Sequence, residues 1–224
     1  MVNLKVIAHI KTDFPTKFGL PRQSGLIGEI KGKIIFEKEY RIPEALRGLD
    51  DFSHIWILWQ FSEAVRSDWS PTVRPPMLGG NKRMGVFATR SPFRPNPIGL
   101  SAVKLEKIDF SDPEGPVIYV SGSDLMDGTP IYDIKPYLAY ADSIAEASGG
   151  FTENLADRTL EVIFPDELLK RIPEEKQNTL YSVLKGDPRP SYQNDPERIY
   201  GFNFAGFEIS FKVENKTLTV LKVN

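Results

Sequence analysis

The 224-residue chain contains no cysteine, which excludes disulfides, thiol nucleophiles and thiolate metal sites. Its only histidines are His9 and His54, which leaves little for a zinc centre, so no metal site is expected. Long apolar runs are missing too. The most apolar stretch, Ile55 to Phe61, is far too short to span a bilayer, and the opening MVNLKVIAHI lacks the apolar core of a signal peptide. A cytoplasmic protein with no membrane partner is expected. Excess charge of either sign is also lacking: the net charge is -2 and the pI near 5.8, so any attraction to an anionic polymer must be local. The glycine-rich strand-to-helix fingerprint of nucleotide-binding Rossmann folds does not occur.

What is present is a 41% hydrophobic composition, ample for one large domain or for a medium domain with a small appendage. Short apolar or alternating segments read as strands at Leu4 to Ile10, Gly28 to Tyr40 (broken by Lys31-Gly32), Ile55 to Phe61, Met84 to Ala88, Ile98 to Ile108 and Val117 to Val120. Apart from a turn or two at Pro43 to Arg47, nothing before residue 140 has sustained helical periodicity, a pattern that favours a closed or strongly curved sheet. From Ala141 the texture changes. A polar stretch with Gly149-Gly150 precedes an apolar segment at Leu160 to Phe164, a helical pattern from Pro173 to Leu184 ending at Gly186, and strand-like segments from Ile199. The expected fold is mainly β, an N-terminal β-barrel over 1–145 and a small α+β domain over 150–224, with the boundary near 145 to 155.

Charge is unevenly spread within the first part. Between Asp68 and Glu106 lie Arg74, Lys82, Arg83, Arg90, Arg94 and Lys104 with no acidic residue, on a backbone braced by Pro71, Pro75, Pro76, Pro92, Pro95 and Pro97. One reading is a solvated loop balanced elsewhere; the other is an anion site, since arginine forks match phosphate and carboxylate and proline holds them at low entropic cost. Trp69 and Phe93 sit beside these arginines, where aromatics can stack a splayed-out base. Trp56, Trp59 and Phe61 alternate with apolar residues on a strand and are expected in the core. His54, just before that strand, is read as structural rather than catalytic.

Four strings are distinctive: PRQSGL at Pro21 to Leu26, RGLDDFSHIWILWQF at Arg47 to Phe61, RPPMLGGNKRMGVFATRSPFRPNPIGLS at Arg74 to Ser101, and GSDLMDGTPIYDIKPY at Gly122 to Tyr137. Together they resemble the TrmO (TsaA-like) family of tRNA adenine-N6 methyltransferases. DPRPSYQ at Asp187 to Gln193 is similar to a string in the smaller C-terminal domain of bacterial members. The resemblance implies a non-Rossmann β-barrel that binds S-adenosylmethionine and a homodimer. It also implies methylation of N6 of threonylcarbamoyladenosine beside the anticodon of threonine tRNA. The cofactor contacts it implies are Ser24, Gly25 and Leu26, Ser62 and Glu63, Arg90, Leu100, and Ser121, Gly122, Ser123 and Asp124. Ser24 and Glu63 depart from the residues of the best-known members.

Chemically the set is coherent: a carboxylate such as Asp124 or Glu63 can accept from ribose hydroxyls or face the sulfonium, and glycines allow close backbone approach. For Asp124 and Asp127 the alternative is turn formation around Asp127-Gly128. Because the sulfonium methyl is already activated, the protein's task is to align the acceptor nitrogen and manage its proton. Arg94, Asn96 and Asp127 are the catalytic candidates; Asn96-Pro97 is loosely similar to the Asn-Pro-Pro-aromatic element of other adenine-amino methyltransferases. Two rival readings remain, a non-catalytic RNA-binding module using the same basic loops, and a hydrolase, against which the lack of a Ser-His-Asp spacing, thiol or metal cluster argues.

Overall fold

The structure, a computed structural model, describes residues 3–153, 159–189 and 195–224. Pro190 to Gln193 of the DPRPSYQ string lie outside them. Six antiparallel strands close into a barrel: β1 (Ala8–Thr12), β2 (Lys31–Phe36), β3 (His54–Gln60), then, after a two-residue ribbon of β4 (Thr72–Val73) and β5 (Met84–Gly85), β6 (Ile98–Asp109), β7 (Val117–Ser121) and β8 (Pro130–Pro136), in the order β1-β2-β7-β6-β3-β8. Alternation drives closure. Ile55, Ile57 and Trp59 of β3 point inward with Val103 and Leu105 of β6 and Ile34 of β2, all under 9% exposed. A fully buried aliphatic chain of this kind contributes roughly 1.5–3 kcal/mol.

Lys31-Gly32, expected to interrupt a strand, instead begins β2 and pairs with Ser121 and Val120. Gly32 is there because Ile10 fills the space: a Cβ on it would stand 2.7 Å from Ile10 Cδ1. The segment expected at Leu4 to Ile10 forms only from Ala8, and Val86–Ala88 turns as a 3-10 helix rather than extending β5. β8, which the sequence does not announce, has prolines at both ends and Asp133 inside it, a composition that strands disfavour.

After a one-turn α1 (Ala139–Asp142), the rest of the chain forms β9 (Glu161–Ile163), α2 (Asp166–Leu169), α3 (Glu174–Lys185), β10 (Tyr200–Phe204), β11 (Phe207–Glu214) and β12 (Thr217–Val223). The strands make a second sheet, β10-β11-β12-β9, in which β9 alone runs parallel to its neighbour. α3 starts after Pro173 with Glu174 and Glu175 in its first turn and ends with Lys185 and Gly186, an arrangement that suits the helix dipole. Its face of Leu180, Val183 and Leu184 is buried against this sheet. The β10–β11 hairpin turns through Ala205 and Gly206, both at positive φ (51° and 87°), as a two-residue turn of matching twist requires. Among the described residues, no helix is long and apolar enough to cross a membrane.

Candidate functional site

Strand register sorts the barrel connections between two ends. Thr12 pairs with Gly32, Lys31 with Ser121 and Gln60 with Ile98, so the β1–β2 connection (13–30), the β3–β6 connection (61–97) and the β7–β8 connection (122–129) emerge at one end. His54 opens β3 at the opposite end, where its Nδ1 lies 2.9 Å from the Ser53 hydroxyl. All the site residues named from the sequence lie on the three connections or on the adjoining parts of β6 and β7. Loops over a rigid scaffold are where binding groups concentrate.

The centre of this end is a hydrogen-bonded chain leading to Asp124. The Trp59 indole N–H donates to the Ser101 hydroxyl (2.9 Å), which donates to the Asp124 carboxylate (2.6 Å). Ser101 is 1% exposed. Trp59 lies flat over Gly99, its partner across the ladder, where a Cβ would fall 2.2 Å from the indole. Burial pushes the Asp124 carboxyl above its usual range, opposed by the Ser101 hydroxyl, the Ser24 backbone N–H and the charge of Arg90.

Around Asp124 the connections interlock. Gly25 N–H donates to Gly122 O (2.9 Å), and Gly122 and Ser123 N–H both donate to Ile30 O. Gly25 and Gly122 adopt φ +78° and +75°, left-handed backbone that favours glycine, so both sides of this contact call for that residue, while a Cβ on Gly122 would make only an ordinary 3.5 Å contact with the Gly25 backbone. Arg90 donates to the Gln23 side-chain oxygen, tying 61–97 to 13–30. Glu63, in a 3-10 turn with Ser62, makes a second tie through Lys17 at 3.6 Å. Leu26 and Leu100 are 67% and 52% exposed, unusual for leucine, Leu100 on the outer face of β6. The hydroxyl of Ser121 is committed to Glu106 (2.6 Å) and that of Ser123 to the Leu125 N–H.

The three catalytic candidates sit further out. Arg94 donates to the Thr89 and Ser91 backbone carbonyls, and Asn96 is exposed, its backbone carbonyl accepting from Ile98 N–H. Asp127 Oδ1 accepts from Thr12 N–H (2.9 Å), so this carboxylate also closes the turn. Beside Arg94, the Arg66 guanidinium lies 4.2 Å above the Phe93 ring and Trp69 packs on Phe87 at 6.0 Å. Ser101, Gln23 and Gly99 were missed by sequence reasoning. The signal was a glycine and a serine at successive inward positions of a strand otherwise lined by valine and leucine.

The donor set fits S-adenosylmethionine: a carboxylate with acceptor capacity left, a hydrogen-bonded pair of positive-φ glycines joining two connections, a guanidinium able to hold a carboxylate, and exposed leucines for an adenine or methyl surface. Among the described residues, no cluster of His, Asp and Glu could hold a metal.

Comparison with known proteins agrees. Residues 9–143 match the tRNA-methyltransferase O N-terminal domain family and residues 157–224 the TrmO C-terminal domain family. A tRNA (adenine(37)-N6)-methyltransferase of Escherichia coli is 40% identical over 215 residues, 92% of this chain and 91% of that protein. A probable S-adenosyl-L-methionine-binding protein of Methanothermobacter thermautotrophicus is 34% identical over 143 residues, covering 64% of this chain and 95% of its own. The crystal structure of TrmO from Pseudomonas aeruginosa superposes with a TM-score of 0.79 at 31% identity, covering all of this chain and 99% of that one.

Proposed function

We propose, from the premise that this chain belongs to the tRNA-methyltransferase O (TrmO) family, that it methylates N6 of threonylcarbamoyladenosine beside the anticodon of threonine tRNA. It is an S-adenosylmethionine-dependent tRNA (adenine-N6)-methyltransferase. The observation carrying this reading is the interlocked end of the barrel, where Asp124 is held by Ser101 and Ser24 beside the Gly25–Gly122 contact and Arg90.

When bound, S-adenosylmethionine supplies a methyl group already activated by a positively charged sulfur. Gly25, Gly122 and Leu26 would line the cofactor, Asp124 would accept from its hydroxyls or face its positive charge, and Arg90 would pair with its carboxylate. Ser62, Glu63 and Leu100 would complete the wall, with Ser121 and Ser123, 6% and 0% exposed and their hydroxyls committed, supporting it from behind. This chain's residues would then have to align the acceptor nitrogen with that methyl group and take up the N6 proton. Arg94, Asn96 and Asp127 are the acceptor-side residues: Arg94 holds the threonyl carboxylate, Asn96 orients N6 and Asp127 offers an oxygen for the proton. The exposed Arg74, Lys82 and Arg83 meet phosphates. We read the chain as two domains, 1–145 and 150–224, working in the cytoplasm.

The test is methylation of two otherwise identical threonine tRNAs, one carrying the threonylcarbamoyl group and one transcribed without it. The modified tRNA is expected to be the substrate. Arg94→Ala should lower turnover on it by roughly tenfold or more, the scale of a charged hydrogen bond, while Asn96→Ala and Asp127→Asn lower turnover without changing cofactor affinity. Equal methylation of both tRNAs would remove the carboxylate from the reading.

A homodimer is also proposed, supported by the exposed apolar side chains Phe18, Trp69, Phe87 and Tyr140. Light scattering at micromolar concentration should give twice the mass of the chain. A chain that is monomeric and fully active would remove the dimer from the reading.

A further inference from the structure

The connection 13–30 does not stand on the barrel alone. Phe14 and Ile30, at its two ends, are 0% and 1% exposed because they belong to the apolar cluster of the second sheet, with Leu20 and Ile27 packed against it. Phe14 meets Phe204 of β10 edge-on at 5.2 Å. Gly19, at φ +88°, passes so close to Phe202 that a Cβ would stand 2.4 Å from the ring.

Three polar contacts fix the same connection. The Ala205 N–H, at the tip of the β10–β11 hairpin, donates to Asp13 O (2.8 Å). The Lys176 ammonium of α3 pairs with the Asp13 carboxylate (2.5 Å), and the Thr179 hydroxyl donates to Glu29 O (3.2 Å). On its opposite side the connection is bonded to 122–127, through Gly25 N–H to Gly122 O and Asp127 N–H to Phe14 O. A glycine-bearing stretch that would otherwise be costly to order is thus held in place before any ligand arrives, which lowers the cost of binding.

We infer that the C-terminal unit is a positioning device for the cofactor site: Lys176, Thr179 and the Ala205 hairpin hold 13–30 closed against 122–124 without themselves touching the cofactor. This rests on the reading that the cofactor meets residues 24 to 26. It gives the C-terminal unit a task in cofactor binding. It also explains why polar side chains of α3 reach toward the backbone and carboxylate of a distant connection when α3 already buries a full apolar face.

The test uses the full chain with Lys176→Met and Thr179→Val together, and Thr179→Val alone as the milder variant. Hydrogen exchange of segment 20–28, cofactor affinity by calorimetry and the KM for tRNA are read side by side. In the double variant, segment 20–28 should exchange faster while the barrel strands keep their protection. Cofactor Kd should rise roughly fivefold or more, in the range of coupling between distinct sites, with the tRNA KM unchanged. Thr179→Val should move the same quantities less, and Lys176→Arg with Thr179→Ser should restore them. Unchanged exchange in 20–28 would overturn the positioning role. Faster exchange with unchanged cofactor Kd would overturn the placement of the cofactor against 24 to 26, and the inference with it. A raised tRNA KM with unchanged cofactor Kd would assign the C-terminal unit to RNA binding instead.

Discussion

Asp124→Asn should bind S-adenosylmethionine about tenfold more weakly, the scale of one charged contact, and yet melt at a higher temperature at pH 7. The two effects share one cause. Burial raises the Asp124 carboxyl above its ordinary range, so the folded protein holds this proton more tightly than the unfolded chain does. The group's contribution to stability is therefore fully present below the ordinary carboxylate pKa, about 3.9, and is lost as pH rises through the elevated value. Asparagine keeps an oxygen for the Ser101 hydroxyl and carries no charge to desolvate, so the variant escapes the desolvation loss, less the bond from the Ser24 N–H that its NH2 cannot accept. Its thermal advantage should shrink as the pH approaches about 4, where the native side chain is itself becoming neutral. Calorimetric titration and melting curves at the two pH values decide the matter. Unchanged cofactor affinity would displace Asp124 from the site, and a lower melting temperature at pH 7 would show that the carboxylate is stabilising. In the same titration Arg90→Ala should weaken cofactor binding and Lys82→Ala should not, because Arg90 acts on both Gln23 and Asp124 while Lys82 is an exposed loop cation.

Gly99→Ala should cost about 1–3 kcal/mol of stability, the usual penalty of overpacking a core, and cofactor binding with it. The added methyl would overlap the Trp59 indole at 2.2 Å, and moving the indole breaks its bond to Ser101 and loosens the hydroxyl that orients Asp124. For a chain of this size a loss of that kind lowers the melting temperature by roughly 2–4 °C per kcal/mol. Gly85→Ala is the control: its φ is -58° and nothing lies within 4 Å of its added carbon, so it should melt within about 0.5 kcal/mol of the native chain. Should Gly99→Ala melt and bind as well as Gly85→Ala, the indole is not held against this strand.

What could be read from the sequence followed from locality. The second half of β6 is plain because inward Val103 and Leu105 flank outward Lys104, whereas its first half puts Gly99 and Ser101 inward and Ile98 and Leu100 outward, against the usual pattern; α3 is bracketed by Pro173 and Gly186. β8 escaped notice because tertiary pairing with β1 and β3 overrides the poor strand propensity of Pro130, Asp133 and Pro136. The link from Trp59 through Ser101 to Asp124 joins residues 42 and 23 positions apart, and no periodicity connects them. The proposed cofactor contacts rest on the resemblance, because a site built from three connections leaves no spacing rule in the chain. The packing of 13–30 into the second sheet was equally hidden: Phe14, Leu20 and Ile27 are scattered apolar residues in a stretch that reads as loop.

That packing also sets an order of assembly during synthesis. The barrel has all its strands once Pro136 is made, but the second sheet lacks an interior member until β12, which lies between β11 and β9, has been added. At roughly 5–20 residues per second, the ribosome leaves the new barrel for several seconds with Phe14 and Ile30 uncovered and the 13–30 connection unanchored. The nascent barrel is sticky at that end and its connections are not yet locked together. The part of the molecule first written in the chain is thus the last to reach its working shape, and a chain cut before β12 would leave the ribosome with both faults.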